Sequence, residues 1–308
     1  MQSYNITYVI VSFNSDPYLE KSIVSAIKFS RKNDRIFIID NNSQDKSREI
    51  ISRLQSSNER IESVFLDKNV GFGAGNNVAL KKINSNWFFL LNSDAWLVDD
   101  SVSMAVDIIN KESNIAIAGI PLVFPNNKPQ TYAYPFSSSR KWLLQLLKGR
   151  EIVSFLCKVN IIKNLLLRLD IARNFILSQT ENPHTDGSIR TVDWVCGASM
   201  LISGEFIKNF GGFDEKIFLY GEDEDICILA HQKDKKVVTV SVPPIVHVFG
   251  WGKNSFNQTV AELKYKSLKY FLIKHSSSIL KRNLRLIILP LHVFGFMKSI
   301  KFLLKIKL

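Results

Sequence analysis

The stretch ITYVIVSFNSDPYLEKSIVSAIKFSRKNDRIFIID, residues 6–40, sets the fold of this chain. It opens with a near-continuous apolar run, which is typical of a parallel strand covered on both faces. Asp16 and Pro17 begin a predicted helix that runs to about Arg31, because proline suits the first helical position. A second apolar run at 35–40 predicts the next strand.

The same alternation of strands and helices continues to residue 120. Further strands are predicted at 61–66, 87–91, 115–120, 191–195, 199–203, 237–242 and 245–248. Further helices are predicted from a cap at Ser43 to about Leu54, from the end of the loop 69–73 to Ile83, and at 102–110. This order predicts an α/β fold with a mostly parallel twisted sheet and helices on both faces. Ligands bind at the carboxyl ends of the strands in such sheets. Ser12, Asn14, Asp40 and Asp94 lie at that edge.

Composition narrows the class of protein. The 308 residues are 46% apolar, enough for a large core in one elaborated domain or two. Three scattered cysteines are too few for a disulfide framework and fit a reducing cytoplasm. Cys227 and His231 have a metal-compatible spacing, but ordinary helix packing is favoured because no second pair accompanies them. Neither a signal peptide nor an apolar run of about 20 residues is expected.

The net charge of +12 is concentrated in two apolar segments. After Glu262 the chain has eleven lysines and arginines and no acidic residue, interleaved with aliphatic runs such as 286–289. A second such stretch, 140–173, contains eight basic residues. Basic amphipathic helices of this kind predict contact with an anionic membrane surface. Nucleic acid is disfavoured because phosphate-binding faces seldom need so many bulky aliphatics, and buried helices with basic rims are the alternative.

An acidic cluster, GEDED at 221–225, follows the apolar run 217–220. Four adjacent carboxylates repel one another and resist desolvation, so a cation, a hydroxyl or a base-catalysed step often explains them. The alternative is a helix N-terminus, where negative charge favours the macrodipole. Asp94, at the end of another apolar run, and His247, within a predicted strand, favour an enzyme site.

The glycine-rich stretch GFGAGNN at 71–77 resembles a dinucleotide fingerprint only superficially. Its third spacing is wrong and it follows the third strand, so hydride transfer is disfavoured. A glycine turn that enters a helix N-terminus can admit a nucleotide closely, and a tight structural turn is the alternative. No Gly-Lys-Ser/Thr phosphate loop is present, which argues against an ATPase.

These groups together are consistent with one reaction. Asp40 would accept a hydrogen bond from a nucleobase N–H. Asp94 would hold Mg²⁺ or Mn²⁺, with His247 either completing the coordination or serving a structural role. The cation would neutralise a departing diphosphate. One carboxylate of 222–225 would then deprotonate an acceptor hydroxyl.

Five motifs in the right order carry a resemblance to a known family: VSFNS at 11–15, IDNNS at 39–43, NVGFGAGNN at 69–77, LNSDA at 91–95 and GEDEDIC at 221–227. Over roughly residues 4–250 the chain resembles family-2 glycosyltransferases, most of all the bacterial rhamnosyltransferase-like branch that builds surface polysaccharides. The resemblance implies a GT-A fold, inversion at the anomeric carbon and a nucleoside-diphosphate sugar donor.

The resemblance also implies roles for individual residues. Asp223 matches the catalytic base, and Asp94 and His247 match metal ligands. The nucleotide-sugar-binding residues would be Ser12, Asn14, Asp40, Asn69, Gly71, Gly73, Asn76, Asn92 and Ser93. The acceptor side would include Trp194, Gly197 and Glu222. One departure matters, because Asn92 replaces the first aspartate of the metal-binding Asp-X-Asp motif and would hold a cation more loosely.

The predicted organisation follows from these assignments. Residues 1–120 would form a nucleotide-sugar-binding half, 121–260 an acceptor and catalytic half with an amphipathic insertion at 140–178, and 261–308 a basic membrane-associating segment. The expected function is sugar transfer from dTDP-rhamnose, or from a UDP- or GDP-sugar, to a lipid-linked saccharide or polysaccharide at the cytoplasmic membrane face.

Two alternatives stay open at this point. A nucleotidyltransferase would carry an early triphosphate loop rich in glycine and arginine, and none follows the first strand. A non-catalytic membrane-associated scaffold with a degenerate sugar-nucleotide fold is supported only by Asn92.

Overall fold

A computed structural model describes residues 5–136, 185–248 and 258–275. The chain divides into two compact units, one formed by 1–136 with 177–267 and the other by 137–176 with 268–308. The amphipathic insertion predicted at 140–178 and most of the basic segment predicted at 261–308 lie outside the described residues. Within the three described ranges, no helix is long and apolar enough to cross a membrane.

The first half of the chain alternates strands and helices as the sequence predicts. Its elements are β1 (Ile6–Ser12), α1 (Asp16–Phe29), β2 (Arg35–Asp40), α2 (Ser47–Ser57), β3 (Ile61–Phe65), α3 (Phe72–Lys82), β4 (Trp87–Leu91), β5 (Ala95–Trp96), α4 (Ser101–Ile109) and β6 (Ile115–Gly119). Helix α1 has proline in its first turn, as predicted.

The later part of the chain has shorter elements. They are β7 (Leu122–Val123), β8 (Pro129–Gln130), β9 (Ala133–Tyr134), β10 (Ile189–Thr191), β11 (Trp194–Val195), β12 (Ser199–Ser203), α5 (Gly204–Phe210), α6 (Glu222–Gln232), β13 (Lys236–Val240), β14 (Ile245–His247) and α7 (Gln258–His275).

An eight-stranded sheet in the order β10-β13-β6-β12-β4-β1-β2-β3 forms the centre of the first unit. Strands β3, β2, β1 and β4 are parallel to one another, and β12 lies antiparallel between β4 and β6. Strand β13 is parallel to β6, and β10 is antiparallel to β13. The prediction of a mostly parallel α/β sheet is confirmed.

Helices cover both faces of this sheet because successive side chains of a strand point to opposite faces. Tyr8 of β1 packs in the core with α1, α2 and α4, whereas its neighbour Val9 packs in the core with α3, α5 and α6. Both side chains are almost completely buried. The apolar run of β1 is therefore continuous for the reason that its sequence suggests.

A smaller four-stranded sheet, in the order β5-β14-β7-β8, lies within the same unit. In its register, His247 of β14 is opposite Ala95 of β5, and Gln130 of β8 is opposite Leu122 of β7. Strands of two residues have no periodicity that a sequence can show, so only β14 was predicted. This sheet brings the segment after β4 next to the end of β14.

The start of α2 differs from the prediction that Ser43 caps it. The helix begins at Ser47, whose N–H donates to Asp45 Oδ1 at 3.0 Å. Ser43 instead accepts a hydrogen bond from the N–H of Asn14 at 3.0 Å, so its hydroxyl fixes the turn after β1. A serine side chain can cap a helix or hold a neighbouring loop, and spacing alone does not separate the two uses.

Candidate functional site

The predicted donor side lies at the carboxyl ends of β1 and β2. Ser12 and Asp40 are opposite each other in the parallel register, and the N–H of Asn41 donates to Ser12 O at 2.8 Å. The Ser12 hydroxyl is buried, with no hydrogen-bond partner among the residues that the structure describes. Asn14 has a positive φ of 50°, and its side-chain oxygen accepts from Gln44 N at 2.8 Å. Short polar side chains therefore line this edge.

Asp40 is fully buried and is held on one side only. Its Oδ2 accepts from Arg48 Nε at 2.8 Å and from the Ser43 N–H at 3.1 Å. Its Oδ1 is buried with no partner in the described part of the chain. The guanidinium of Arg48 also donates to Leu66 O at 2.9 Å and lies 5.5 Å from the Phe65 ring centre. Asp40 thus keeps one acceptor oxygen for a further N–H donor.

The glycine-rich turn is fixed against the segment that precedes the acidic cluster. Gly71 has a φ of 92°, and a Cβ at that position would lie 2.2 Å from Phe218 O. The N–H of Phe72 donates to the same oxygen at 3.1 Å. Only glycine tolerates both this backbone conformation and this close approach. The glycine-rich motif therefore forms the tight structural turn that was one of its two interpretations, and this turn does not exclude a nucleotide beside it.

Asparagine side chains complete the turn. Asn41 accepts from Val70 N at 2.8 Å and donates to Gly71 O at 3.1 Å. Asn69 accepts from the N–H of Gly71 at 2.9 Å. Asn76 donates to a backbone oxygen in the first turn of α3, while its own Oδ1 is buried without a partner among the described residues.

The predicted metal ligands Asp94 and His247 lie next to each other. Asp94 Oδ1 is 3.3 Å from His247 Nε2, and both side chains are largely buried. The amide nitrogen of Asn92 lies 3.4 Å from the same ring nitrogen. Pairing of β5 with β14, extended by the Val248 N–H that donates to Asp94 O at 3.0 Å, produces this proximity. Ser93, between Asn92 and Asp94 in the chain, has its hydroxyl 2.8 Å from that of Ser15.

The residues present fit a divalent cation. Two adjacent ligands of an octahedral Mn²⁺ or Mg²⁺ lie about 3 Å apart, close to the observed separation of Asp94 Oδ1 and His247 Nε2. A carboxylate with an imidazole suits Mn²⁺. The described ranges contain no group of three or more His, Cys, Asp or Glu residues placed to hold a metal. A cation at this pair would therefore need further ligands from a bound molecule or water.

The predicted base, Asp223, lies in the first turn of α6. Its Oδ2 accepts from Gly197 N at 3.3 Å and its Oδ1 from Glu224 N at 2.9 Å. Burial raises the pKa of the Asp223 carboxyl to about 6, although these backbone donors favour the ionised form. Burial and the charge of Asp223 raise the pKa of Glu222 well above its ordinary value. The acidic cluster thus opens a helix and also contains a carboxylate suited to accept a proton.

Glu222 and Gly73 place α6 against α3. Glu222 is 4% exposed, and its Oε2 is buried with no partner among the described residues. A Cβ added to Gly73 would lie 2.9 Å from Phe213 Cβ and 3.5 Å from Glu222 Cβ. Gly73 thus allows α3 to approach Phe213 and the first turn of α6, and its predicted contact with the donor stays a prediction.

One short segment, 196–198, contacts the predicted base Asp223 and also Asn92, which lies two positions before the predicted metal ligand Asp94. Gly197 N donates to Asp223, and Ala198 O accepts from Asn92 N at 3.2 Å. Burial raises the pKa of the Cys196 thiol to about 12, and the charges of Asp223, Glu222 and Asp94 add to the shift. The structure therefore brings these predicted residues together, and their individual roles stay predictions.

The predicted acceptor side carries an aromatic pair. The Trp194 ring stacks on Tyr134 with centres 4.4 Å apart, and its Nε1 donates to Pro135 O at 3.0 Å. A Cβ added to Gly197 would lie 2.9 Å from Phe72 Cε1, so this glycine allows α3 to approach. Tyr134 was not predicted, because it lies in a two-residue strand within an irregular proline-bearing section.

Two further residues were missed, Arg48 and Gln130. Arg48 binds Asp40 from the first turn of α2, and Gln130 contacts His247 across the small sheet. Neither has a spacing signal, because each reaches its partner only through tertiary structure. Cys227 is fully buried and His231 lies 3.0 Å from Asp193 O, so the helix-packing interpretation of that pair agrees with the structure.

The fold of this chain has a counterpart among solved structures. It is similar to the crystal structure of GalNAc-T7 with UDP, GalNAc and Mn²⁺, with a TM-score of 0.58 and 14% identity over 88% of this chain and 50% of that chain. At this identity the likeness shows the fold alone. The fold is the GT-A fold of glycosyltransferases, as predicted.

The family follows from the sequence comparison. Residues 7–174, more than half of the chain, match the family described as glycosyl transferase family 2. The chain therefore belongs to glycosyltransferase family 2, which confirms the resemblance drawn from its motifs.

Two curated relatives illustrate the range of the family. An uncharacterized glycosyltransferase of Haemophilus influenzae is 28% identical over 104 residues, 34% of this chain and 42% of that protein. An N-acetylglucosaminyl-diphospho-decaprenol L-rhamnosyltransferase of Mycobacterium tuberculosis is 22% identical over 232 residues, 71% of this chain and 67% of that protein.

Proposed function

We propose that this protein is an inverting glycosyltransferase that moves a sugar from a nucleoside-diphosphate sugar to an acceptor hydroxyl during bacterial surface polysaccharide synthesis. The observation that carries the proposal is the placement of Asp223, Asp94 and Asn92 around the single segment 196–198. It provides a base for the acceptor and a cation site for the leaving diphosphate within one site.

The proposed reaction is a single displacement. Asp223 accepts the proton of the acceptor hydroxyl while that oxygen attacks the anomeric carbon and the bond to the diphosphate oxygen breaks. A pKa of about 6 leaves Asp223 mostly ionised at neutral pH and still basic enough to take the proton. The cation held by Asp94 and His247 would neutralise charge on the diphosphate. Attack opposite the leaving group inverts the anomeric centre.

The donor is proposed to be a sugar nucleotide whose base offers an N–H to Asp40. The unpaired Oδ1 of Asp40 supports this assignment because it is the only atom of that carboxylate without a described donor. Thymine, uracil and guanine all carry such an N–H, so UDP- and GDP-sugars satisfy it as well. We favour dTDP-rhamnose, and the name of the Mycobacterium tuberculosis relative, an L-rhamnosyltransferase, supports rhamnose as the sugar.

The acceptor is proposed to be a lipid-linked saccharide at the cytoplasmic membrane face. The relative named for a decaprenol-linked acceptor supports the lipid link. The stacked rings of Trp194 and Tyr134 offer the kind of apolar face on which a sugar ring packs. The basic apolar sequence after Glu262 supports contact with an anionic membrane surface.

The direct test is nucleotide release from a panel of donors by the full chain. UDP-, dTDP- and GDP-sugars are each supplied with Mg²⁺ or Mn²⁺, and thermal shifts of the protein report binding. We expect one donor class to stabilise the protein and to release its nucleoside diphosphate. If no donor binds or turns over, the scaffold alternative replaces the proposal, and consumption of a nucleoside triphosphate would favour the nucleotidyltransferase.

The cation site is tested by Asp94→Ala. Loss of this carboxylate should weaken Mn²⁺ binding at least about tenfold, because a charged oxygen ligand is removed. Titration followed by electron paramagnetic resonance of free Mn²⁺ measures the affinity. Asp99→Ala, an exposed aspartate five positions further along the chain, is the control and should leave it unchanged. Equal affinity in both variants would remove Asp94 from the site.

A further inference from the structure

The imidazole of His247 is contacted by Gln130 on the side away from Asp94. Gln130 lies on β8 and His247 on β14, and β7 lies between these two strands in the small sheet. The side chain of Gln130 spans β7 to reach the ring and backbone of His247. Both residues are buried, with 7% of Gln130 and 4% of His247 exposed. Because the Gln130 amide is buried, its N–H and C=O ends determine whether each atom of His247 that they face donates or accepts a hydrogen bond.

The orientation of the Gln130 amide follows from chemistry. One end of the amide lies 2.7 Å from the backbone oxygen of His247, which can only accept a hydrogen bond, so that end is the Nε2 donor. The other end, Oε1, then faces His247 Nδ1 at 2.9 Å. Because Oε1 is only an acceptor, Nδ1 must carry a hydrogen.

In the neutral ring, this hydrogen decides the state of the opposite nitrogen. A neutral imidazole carries one N–H, so a hydrogen on Nδ1 leaves a lone pair on Nε2. That nitrogen is 3.3 Å from Asp94 Oδ1 and 3.4 Å from Asn92 Nδ2. The amide N–H of Asn92 can donate to this lone pair, which agrees with the same tautomer.

We propose that Gln130 is a positioning residue that holds His247 in its Nδ1–H tautomer and thereby directs the Nε2 lone pair into the cation site. The inference rests on the proposed cation-dependent function. Without Gln130, the Nδ1–H tautomer loses its acceptor, whereas the Nε2–H tautomer can still donate to Asp94 and is therefore favoured. The Nε2–H form cannot bind a metal through Nε2. A metal-binding histidine depends on such a hydrogen bond to its second nitrogen.

His231 provides an internal contrast. Its Nε2 lies 3.0 Å from the backbone oxygen of Asp193, which only accepts, so His231 carries its hydrogen on Nε2. The two histidines should therefore show opposite tautomers in one protein.

The test uses the full chain labelled with ¹⁵N-histidine, free of metal and donor, and NMR that separates the two tautomers. His247 is assigned by the signal lost in His247→Gln. We expect His247 as Nδ1–H in the wild type. Gln130→Leu should shift it toward Nε2–H and weaken Mn²⁺ binding about tenfold or more. Gln130→Glu keeps an acceptor for Nδ1–H and should keep the tautomer.

Controls separate this effect from a general disturbance. Gln55→Leu makes the same chemical change at an exposed position of α2 and should leave the His247 signals unchanged. His231 should remain Nε2–H in every variant. A hydrogen on Nε2 of His247 in the wild type, in a neutral or a doubly protonated ring, or an unchanged tautomer in Gln130→Leu, overturns the proposal. If Gln130→Leu does not fold, the wild-type and Gln130→Glu spectra decide it.

The tautomer is read without a sugar nucleotide, so its outcome is separate from that of the donor panel. An Nδ1–H tautomer that depends on Gln130 in a protein that binds no donor would support the positioning role and reject the transferase. Turnover in a protein whose His247 is Nε2–H would do the reverse.

Discussion

Asp40 and Asp223 place the same side chain in two opposite settings. Asp40, at the end of β2, is fully buried and has a guanidinium from Arg48 on one oxygen. Asp223, in the first turn of α6, accepts from two backbone N–H groups and has the carboxylate of Glu222 as its neighbour. The first therefore has a charged hydrogen-bond donor fixed beside it. Asp223 has no cationic partner among its described contacts, and its carboxylate can take up a proton.

The largest expected effect comes from Asp223→Asn. An amide cannot accept the acceptor proton, so kcat for sugar transfer should fall roughly 10³-fold while donor affinity stays within about twofold. Single-turnover assays and donor titration measure the two quantities. Asp234→Asn changes an exposed residue just beyond the end of α6 at a φ of 53°, which asparagine tolerates, and serves as the control. Retained turnover in Asp223→Asn would show that Asp223 is not the base, and its difference from Asp40 would then have no catalytic meaning.

A smaller effect is expected from Arg48→Leu, which removes the counter-charge of Asp40. The cost should be about 2 kcal/mol of unfolding free energy, because a buried carboxylate loses its charged donor, although Arg48 itself is 41% exposed. Urea unfolding measures it. Arg35→Leu breaks the exposed ion pair with Glu62 and should cost under about 1 kcal/mol. Equal losses of unfolding free energy in Arg48→Leu and Arg35→Leu would show that the buried Asp40 carboxylate does not depend on Arg48.

The pH dependence of transfer gives the smallest of the three effects. The base must be ionised, and the pKa of Asp223 is raised from 3.8 to about 6, so kcat should fall about tenfold between pH 7 and pH 5. Between these two pKa values the folded protein holds a proton that the unfolded chain has released. This carboxyl therefore lowers stability as the pH rises through that window. A kcat that is flat from pH 7 to pH 5 would contradict the raised pKa.

The parallel half of the fold could be predicted closely from sequence. Strands β2 and β4 have the bounds predicted for them, 35–40 and 87–91, because both are buried apolar runs. The edge rule for parallel strands placed Asp40 and Asp94, whereas His247 reaches Asp94 through the antiparallel pairing of β14 with β5. The match of five ordered motifs to one family supplied the rest of the site.

Other features had no signal in the sequence. Gln130 lies in the section 119–135, where four prolines and two-residue strands leave no periodicity. Arg48 lies in the first turn of α2, whose cap is Lys46, three residues after the predicted cap Ser43. The sequence did not place its guanidinium beside Asp40. The counter-charge that distinguishes Asp40 from Asp223 was therefore visible only in three dimensions.

Gly71 has a consequence for attempts to exchange donor preference among members of this family. The space where its side chain would begin is occupied by the carbonyl of Phe218, and the next peptide N–H is bonded to that carbonyl. Segments that are almost 150 positions apart along the chain therefore form one inseparable unit. A chimera that transplants residues 69–73 alone would mismatch this junction, whereas one that transplants both segments together would keep it intact.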